Sequence, residues 1–266
     1  MREPFLTVSW QRFLHTSRTA EHAVQLYDDV EELVEPVGAY LAAGFDASEP
    51  AIVIATPDHR TLFVERLRSR GWHEVDLLER GLIVFRDAEQ TLDALLVAGA
   101  PSPERFERIV GSLVGELAER FPGRQVRAFG EMVDLLCARG DPQSAAVLED
   151  LWNRLAERRR FSLLCAYRVD LFDAAAQLSL LPQICAAHTH IQPGGDVARL
   201  GRAVSAALDE ELGAEAAAVW TQLPVSVGRS SLLPAAERAL MWVSANLPGR
   251  AERILATARA RYATVD

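Results

Sequence analysis

The sequence predicts an α/β fold: a largely parallel sheet of about five strands with helices on both faces, followed by a helical C-terminal extension. Three observations predict it. Short continuous apolar runs, such as Ala51-Ile52-Val53-Ile54-Ala55, read as strands covered on both faces. Segments of helical periodicity separate them, as parallel crossovers require. After Asp173 the alternation stops and helical signals dominate.

Residues 1–19 read as an N-terminal leader, with Trp10, Phe13 and Leu14 able to order against the body. His22 to Tyr27 alternates and reads as the first strand. Asp28 and Asp29 suit a helix start, Val30, Leu33, Val34, Val37, Tyr40 and Leu41 recur at helical spacing, and Gly44 is the expected stop. After Ala51–Ala55, Thr56 is the expected N-cap with Pro57 at the first helical position, and Gly71 closes that helix. Leu82 to Phe85 is a third strand, with Asp87 and Gln90 opening the next helix and Ser102-Pro103 another. Val126 to Gly130 and Phe161 to Tyr167 are the last strands. Gly140-Asp141-Pro142 punctuates two helices between them. The α/β unit is expected over 20–175 and the helical extension over 176–266, with helices starting near Asp196, Pro234 and Pro248.

Composition excludes several functions. The formal charge is −9, which disfavours nonspecific nucleic-acid binding. All 28 basic residues are arginine, so chemistry that needs a lysine, including Schiff bases and the phosphate-binding P-loop lysine, has no side chain to use. The three cysteines, Cys137, Cys165 and Cys185, form no disulfide framework and fit a reducing, cytoplasmic setting. No signal peptide or membrane span is expected, and no cofactor is implied.

Ligands in parallel sheets gather beyond the carboxyl ends of the strands. Those ends place Tyr27, Asp28, Thr56, His59, Glu131 and Tyr167 together, with Cys165 on the pocket wall. The first crossover has carboxylates where a P-loop has glycines and a lysine, so ATP turnover is not expected. Cys185, His188 and His190 carry metal-binding atoms within a short span, yet they are three ligands without a second cluster, and a connecting segment is the plainer reading.

Five ordered segments resemble the MEDS domain, the methanogen/methylotroph sensory domain of the dichloromethane-responsive repressor class. They are His22–Asp29, Ala51–Arg60, Arg127–Val133, Leu148–Asn153 and Phe161–Tyr167, and the resemblance spans His22 to Phe172. It implies a RecA/KaiC-like domain without the Walker A loop, and a sensor of small, hydrocarbon-derived ligands used in signalling or transcriptional regulation. The expected protein is therefore non-catalytic, with a small-molecule ligand and a signalling partner or second copy engaged by the C-terminal helices. Two alternatives stand beside it: a metal-assisted hydrolase or phosphoryl-transfer enzyme using Glu131 with Asp28 or Asp29, and an oligomerising scaffold.

Overall fold

The computed structural model describes residues 8–223 and 233–264. The leader expected over 1–19 lies partly outside this range. Its described part contains a helix, Val8–Thr16, whose Trp10, Phe13 and Leu14 are buried against the body.

Eight strands occur among the described residues: β1 (His22–Tyr27), β2 (Ala51–Ala55), β3 (Ile83–Asp87), β4 (Leu96–Val97), β5 (Ala100–Pro101), β6 (Val126–Gly130), β7 (Phe161–Arg168) and β8 (His190–Gln192). Six form one parallel sheet in the order β3-β2-β6-β7-β1-β8, and β4 and β5 make a small separate hairpin. The parallel pairing needs a crossover between neighbouring strands, and helices supply it. β8 corrects the expectation that no strand follows Asp173: Ala23, Val24 and Gln25 of β1 pair with His190, Ile191 and Gln192. A three-residue strand with one aliphatic side chain has too little periodicity to stand out, and the exposed edge of β1 creates it.

The sheet separates two apolar cores. Val24, Leu26, Ile52, Ile54, Ala128, Leu163 and Cys165 face one side, under helices 112–120, 132–138, 142–156 and 181–187. Ala23, Val53, Phe129, Leu164 and Ala166 face the other, under helices 8–16, 31–46 and 57–69. This is the period-2 alternation of a sheet covered on both sides. A third core belongs to the C-terminal helices 197–212, 216–222, 235–246 and 248–264, with Val204, Leu208, Leu240, Val243 and Ile254 at its centre.

Local signals explain most helix starts. The Asp87, Ser102, Asp141 and Asp196 side chains accept from the backbone N–H three residues on. Two expectations are corrected. Thr56 makes no side-chain cap; its backbone N–H is used elsewhere, as described below. Gly44 does not end its helix, which continues to Asp46. A Cβ there would lie 2.5 Å from the Arg127 Cδ, so the glycine admits an arginine rather than a turn. Arg127 is buried, and its guanidinium pairs with Glu49 at 2.7 Å and donates to the carbonyls of Leu14, His15 and Tyr40.

Candidate functional site

The structure divides the expected site residues into two groups. Tyr27, Thr56, His59 and Glu131 meet at the carboxyl edge of the sheet. Cys165 and Tyr167 lie on β7 and face helix 142–156. Asp28 joins neither group through its side chain: it is exposed at the end of β1, and its backbone N–H donates to Glu32.

The edge group is a closed network. β2 ends at Ala55, Thr56 stays extended and Pro57 starts the next helix, which brings His59 over the end of β6. There Glu131 accepts from the Thr56 backbone N–H with one oxygen, and its other oxygen lies 2.5 Å from His59 Nδ1. One turn on, Asp134 accepts from the Tyr27 hydroxyl at 3.0 Å and from the Arg168 backbone N–H at 2.8 Å. Burial raises the Asp134 carboxyl to about 6 against these stabilising bonds. The bond to Glu131 raises His59 above the ordinary histidine value despite partial burial. Burial, and then Asp134, raise Tyr27. The two carboxylates of this edge network, Glu131 and Asp134, are thus both held by donors from neighbouring elements.

The second group is deeper. Glu149 is 3% exposed, although helix 142–156 buries Ala145, Leu148 and Trp152 on the same face. Tyr167 Oη donates to Glu149 Oε1 at 2.7 Å, and His188 Nε2 lies 3.2 Å from the same oxygen. His22 Nε2 lies 3.4 Å from Glu149 Oε2 and 3.1 Å from Cys165 Sγ. Burial alone would raise Glu149; His188 and His22 outweigh it and hold the carboxyl down at about 2. Burial, reinforced by Glu149, pushes the Cys165 thiol and the Tyr167 phenol well up. The donor atoms of His22, Glu149, Cys165 and His188 all lie within 4.8 Å of one another, the described set able to share a metal ion.

The Cys185-His188-His190 group does not assemble. His188 turns into the buried cluster, His190 lies 3.1 Å from the Arg12 guanidinium, and Cys185 is buried on helix 181–187 with its thiol raised to about 11 by burial. Residues 188 and 190 flank the start of β8, and the chain turns between them.

A cavity of about 280 Å³ opens beside this cluster, between helices 142–156 and 181–187. Glu149, Tyr167 and Asn153 supply polar groups to it, and Ala145, Leu180 and Ile184 supply apolar walls. A larger recess of about 460 Å³ beside β3 is lined by Arg60, Arg68, Glu74 and Arg86 and meets none of the expected site residues.

Sequence reasoning missed His22, Glu149, Asn153 and Asp134. Two carried a readable signal. Glu149 occupies a position in the apolar stripe Ala145, Leu148, Trp152, and His22 shares the face of Val24 and Leu26. A polar side chain on a core-facing position needs a partner when buried.

A parallel sheet covered by helices on both faces, with a cavity of polar groups in apolar walls beside it, is the architecture of an α/β module with room for a small molecule. The family model described as MEDS, the MEthanogen/methylotroph, DcmR Sensory domain, matches residues 21–189. The chain belongs to that family. Members are non-catalytic sensory, ligand-binding modules used in signalling, and this chain shares that function. No curated protein matches it. No helix among the described residues is long and apolar enough to cross a membrane.

Proposed function

We propose that this MEDS protein senses a small, hydrocarbon-derived molecule in the cavity between helices 142–156 and 181–187. One observation carries the reading: Tyr167, Glu149, Asp150, Asn153 and Gln183 line a space of about 280 Å³ whose remaining walls are aliphatic. That size suits a ligand of few heavy atoms, and the polar side gives it orientation. The absence of a basic group among those lining residues favours a neutral or hydrogen-bond-donating ligand over an anion.

The α/β body is a RecA/KaiC-like fold that has lost its phosphate loop. The parallel sheet and the Asp28-Asp29 sequence after β1 support this. The body ends after β8, and the C-terminal helices read out occupancy to a signalling partner or a second copy of the chain. Support comes from packing: helix 181–187, one wall of the cavity, continues from the turn 176–180, which packs on helix 235–246.

The test is calorimetric titration of the full chain with dichloromethane, methanol and methylamine, alone and with Ala146→Phe, which fills the cavity from helix 142–156. Saturable binding of one probe, weakened at least about tenfold by the substitution at an unchanged unfolding midpoint, is the expected result. Equal binding by both proteins, or no saturable binding of any probe, overturns the reading.

The second reading keeps the ligand at the sheet edge, recognised by Tyr27, Thr56, His59 and Glu131. It is favoured by the 21% exposure of the His59 side chain, which gives solvent access to an otherwise buried network. Loss of probe binding in Glu131→Gln with Ala146→Phe unaffected would select it.

A further inference from the structure

We propose that His22, Glu149, Cys165 and His188 form a centre for a divalent metal ion of the zinc class. The argument starts from the far side of each imidazole. His188 Nδ1 lies 2.7 Å from the Ile184 carbonyl oxygen, which can only accept, so Nδ1 carries the proton of that ring. Asn153 donates its amide nitrogen to the Ala187 carbonyl, which turns its Oδ1 toward His22 Nδ1 at 3.0 Å. His22 Nδ1 is therefore also the donor. Both rings are fixed in the tautomer that leaves Nε2 as the inward atom, the arrangement of metal-binding histidines held by outer partners.

The buried Glu149 carboxylate calls for positive charge beside it, which an imidazolium or a metal ion supplies. His188 Nε2 is fully buried and makes no hydrogen bond, although Glu149 Oε1 lies 3.2 Å away. In a neutral ring that nitrogen turns a lone pair to a carboxylate oxygen, which is repulsive. His22 Nε2 hydrogen-bonds with the Cys165 thiol at 3.1 Å and lies 3.4 Å from Glu149 Oε2. Four donors at about 2.0–2.3 Å from a tetrahedral ion lie roughly 3.3–3.8 Å apart. Here His22 Nε2 lies 3.1 Å from Cys165 Sγ and 3.4 Å from Glu149 Oε2, and Cys165 Sγ lies 3.9 Å from Glu149 Oε2. All four donors lie within 4.8 Å of one another, so the set closes in slightly around an ion. Two imidazoles, one thiolate and one carboxylate match zinc-class preferences. On binding, the Cys165 thiol releases its proton to solvent as the sulfur–metal bond forms. Thiolate and carboxylate then offset the two charges of the ion, leaving a buried neutral unit.

Tyr167 completes the surroundings by donating to Glu149 Oε1, and the cavity beside Glu149 gives the ion a route in from solvent. The centre goes beyond the ligand-binding reading and stands whether or not the cavity takes an organic molecule.

The experiment uses the full chain without an affinity tag, analysed for metal by mass spectrometry and then reconstituted with Zn²⁺ or Co²⁺. One ion per chain is expected, with the visible spectrum of tetrahedral Co²⁺ and a thiolate charge-transfer band. Cys165→Ser should lose that band, His188→Gln should lose the ion, and Cys185→Ser should change neither. Asn153→Ala, which removes the outer partner of His22 together with the bond to the Ala187 carbonyl, should weaken Zn²⁺ binding by about 10- to 100-fold. A folded wild-type chain that takes up neither ion overturns the proposal. So does a Co²⁺ spectrum unchanged by both Cys165→Ser and His188→Gln. If those variants do not fold, equal Zn²⁺ affinity in the wild type and Asn153→Ala overturns it.

Discussion

The Tyr167 hydroxyl donates to Glu149 Oε1 at 2.7 Å, joining the fifth strand of the main sheet to the helix that covers it. Both residues are buried. A hydrogen bond to a buried charge contributes about 1.5–3 kcal/mol. Tyr167→Phe should lower the free energy of urea unfolding by that amount. A loss within experimental error would mean that the carboxylate finds another donor at once.

Arg127 holds the N-terminal helix to the sheet. Its guanidinium donates to the carbonyls of Leu14 and His15, at the end of helix 8–16, and pairs with Glu49. Arg127→Met strands those acceptors and should cost about 3–5 kcal/mol, the usual loss when one member of a buried ion pair is removed. Trp10 fluorescence should report the helix loosening, because that indole packs beside Phe13 in the same core. A Gly44→Ala chain should also be destabilised, because its methyl meets Arg127. An unchanged melting midpoint in both variants would refute the role given to the arginine.

The edge network should respond to pH through His59. Its folded value is raised by Glu131, so the contact stabilises fully below the unfolded histidine value. That contribution is lost as pH rises through the raised folded value. In Glu131→Gln, the His59 ring should titrate lower in an NMR experiment. The stability gap between the two proteins should narrow on the alkaline side. A ring that titrates identically in both chains would remove Glu131 as the cause.

Glu237 is fully buried in the C-terminal core, and neither carboxylate oxygen meets a donor among the described residues. Burial raises its carboxyl to about 7 from 4.5. The folded state therefore binds the proton more tightly, and stability falls as pH rises from 4.5 to about 7. Glu237→Gln removes the ionisation and should stabilise the protein at neutral pH by up to about 3 kcal/mol, with little effect near pH 4. Denaturant midpoints at the two pH values check this. An equal shift at both would show that packing, not charge, sets the difference.

Much of the body is legible without coordinates. Apolar runs bounded by caps mark β1, β2 and β6 at the bounds observed, because both signals are local to the backbone that uses them. Asp87, Ser102, Asp141 and Asp196 announce their helices for the same reason. The edge network is half legible: strand ends locate Tyr27, Thr56, His59 and Glu131, but not Asp134, whose role depends on the approach of β1 to helix 132–138.

The buried cluster marks the other side of that division. By itself the sequence determined the alternating architecture, the missing phosphate loop and the family resemblance, since each is written in residues close along the chain. Only the tertiary structure decided that His188 leaves Cys185 and His190 to join His22, Glu149 and Cys165. Parallel pairing sets β7 beside β1, and helix packing then lowers Glu149 onto them. Contacts between such distant segments depend on which strands become neighbours, and periodicity within any one segment carries no record of that choice.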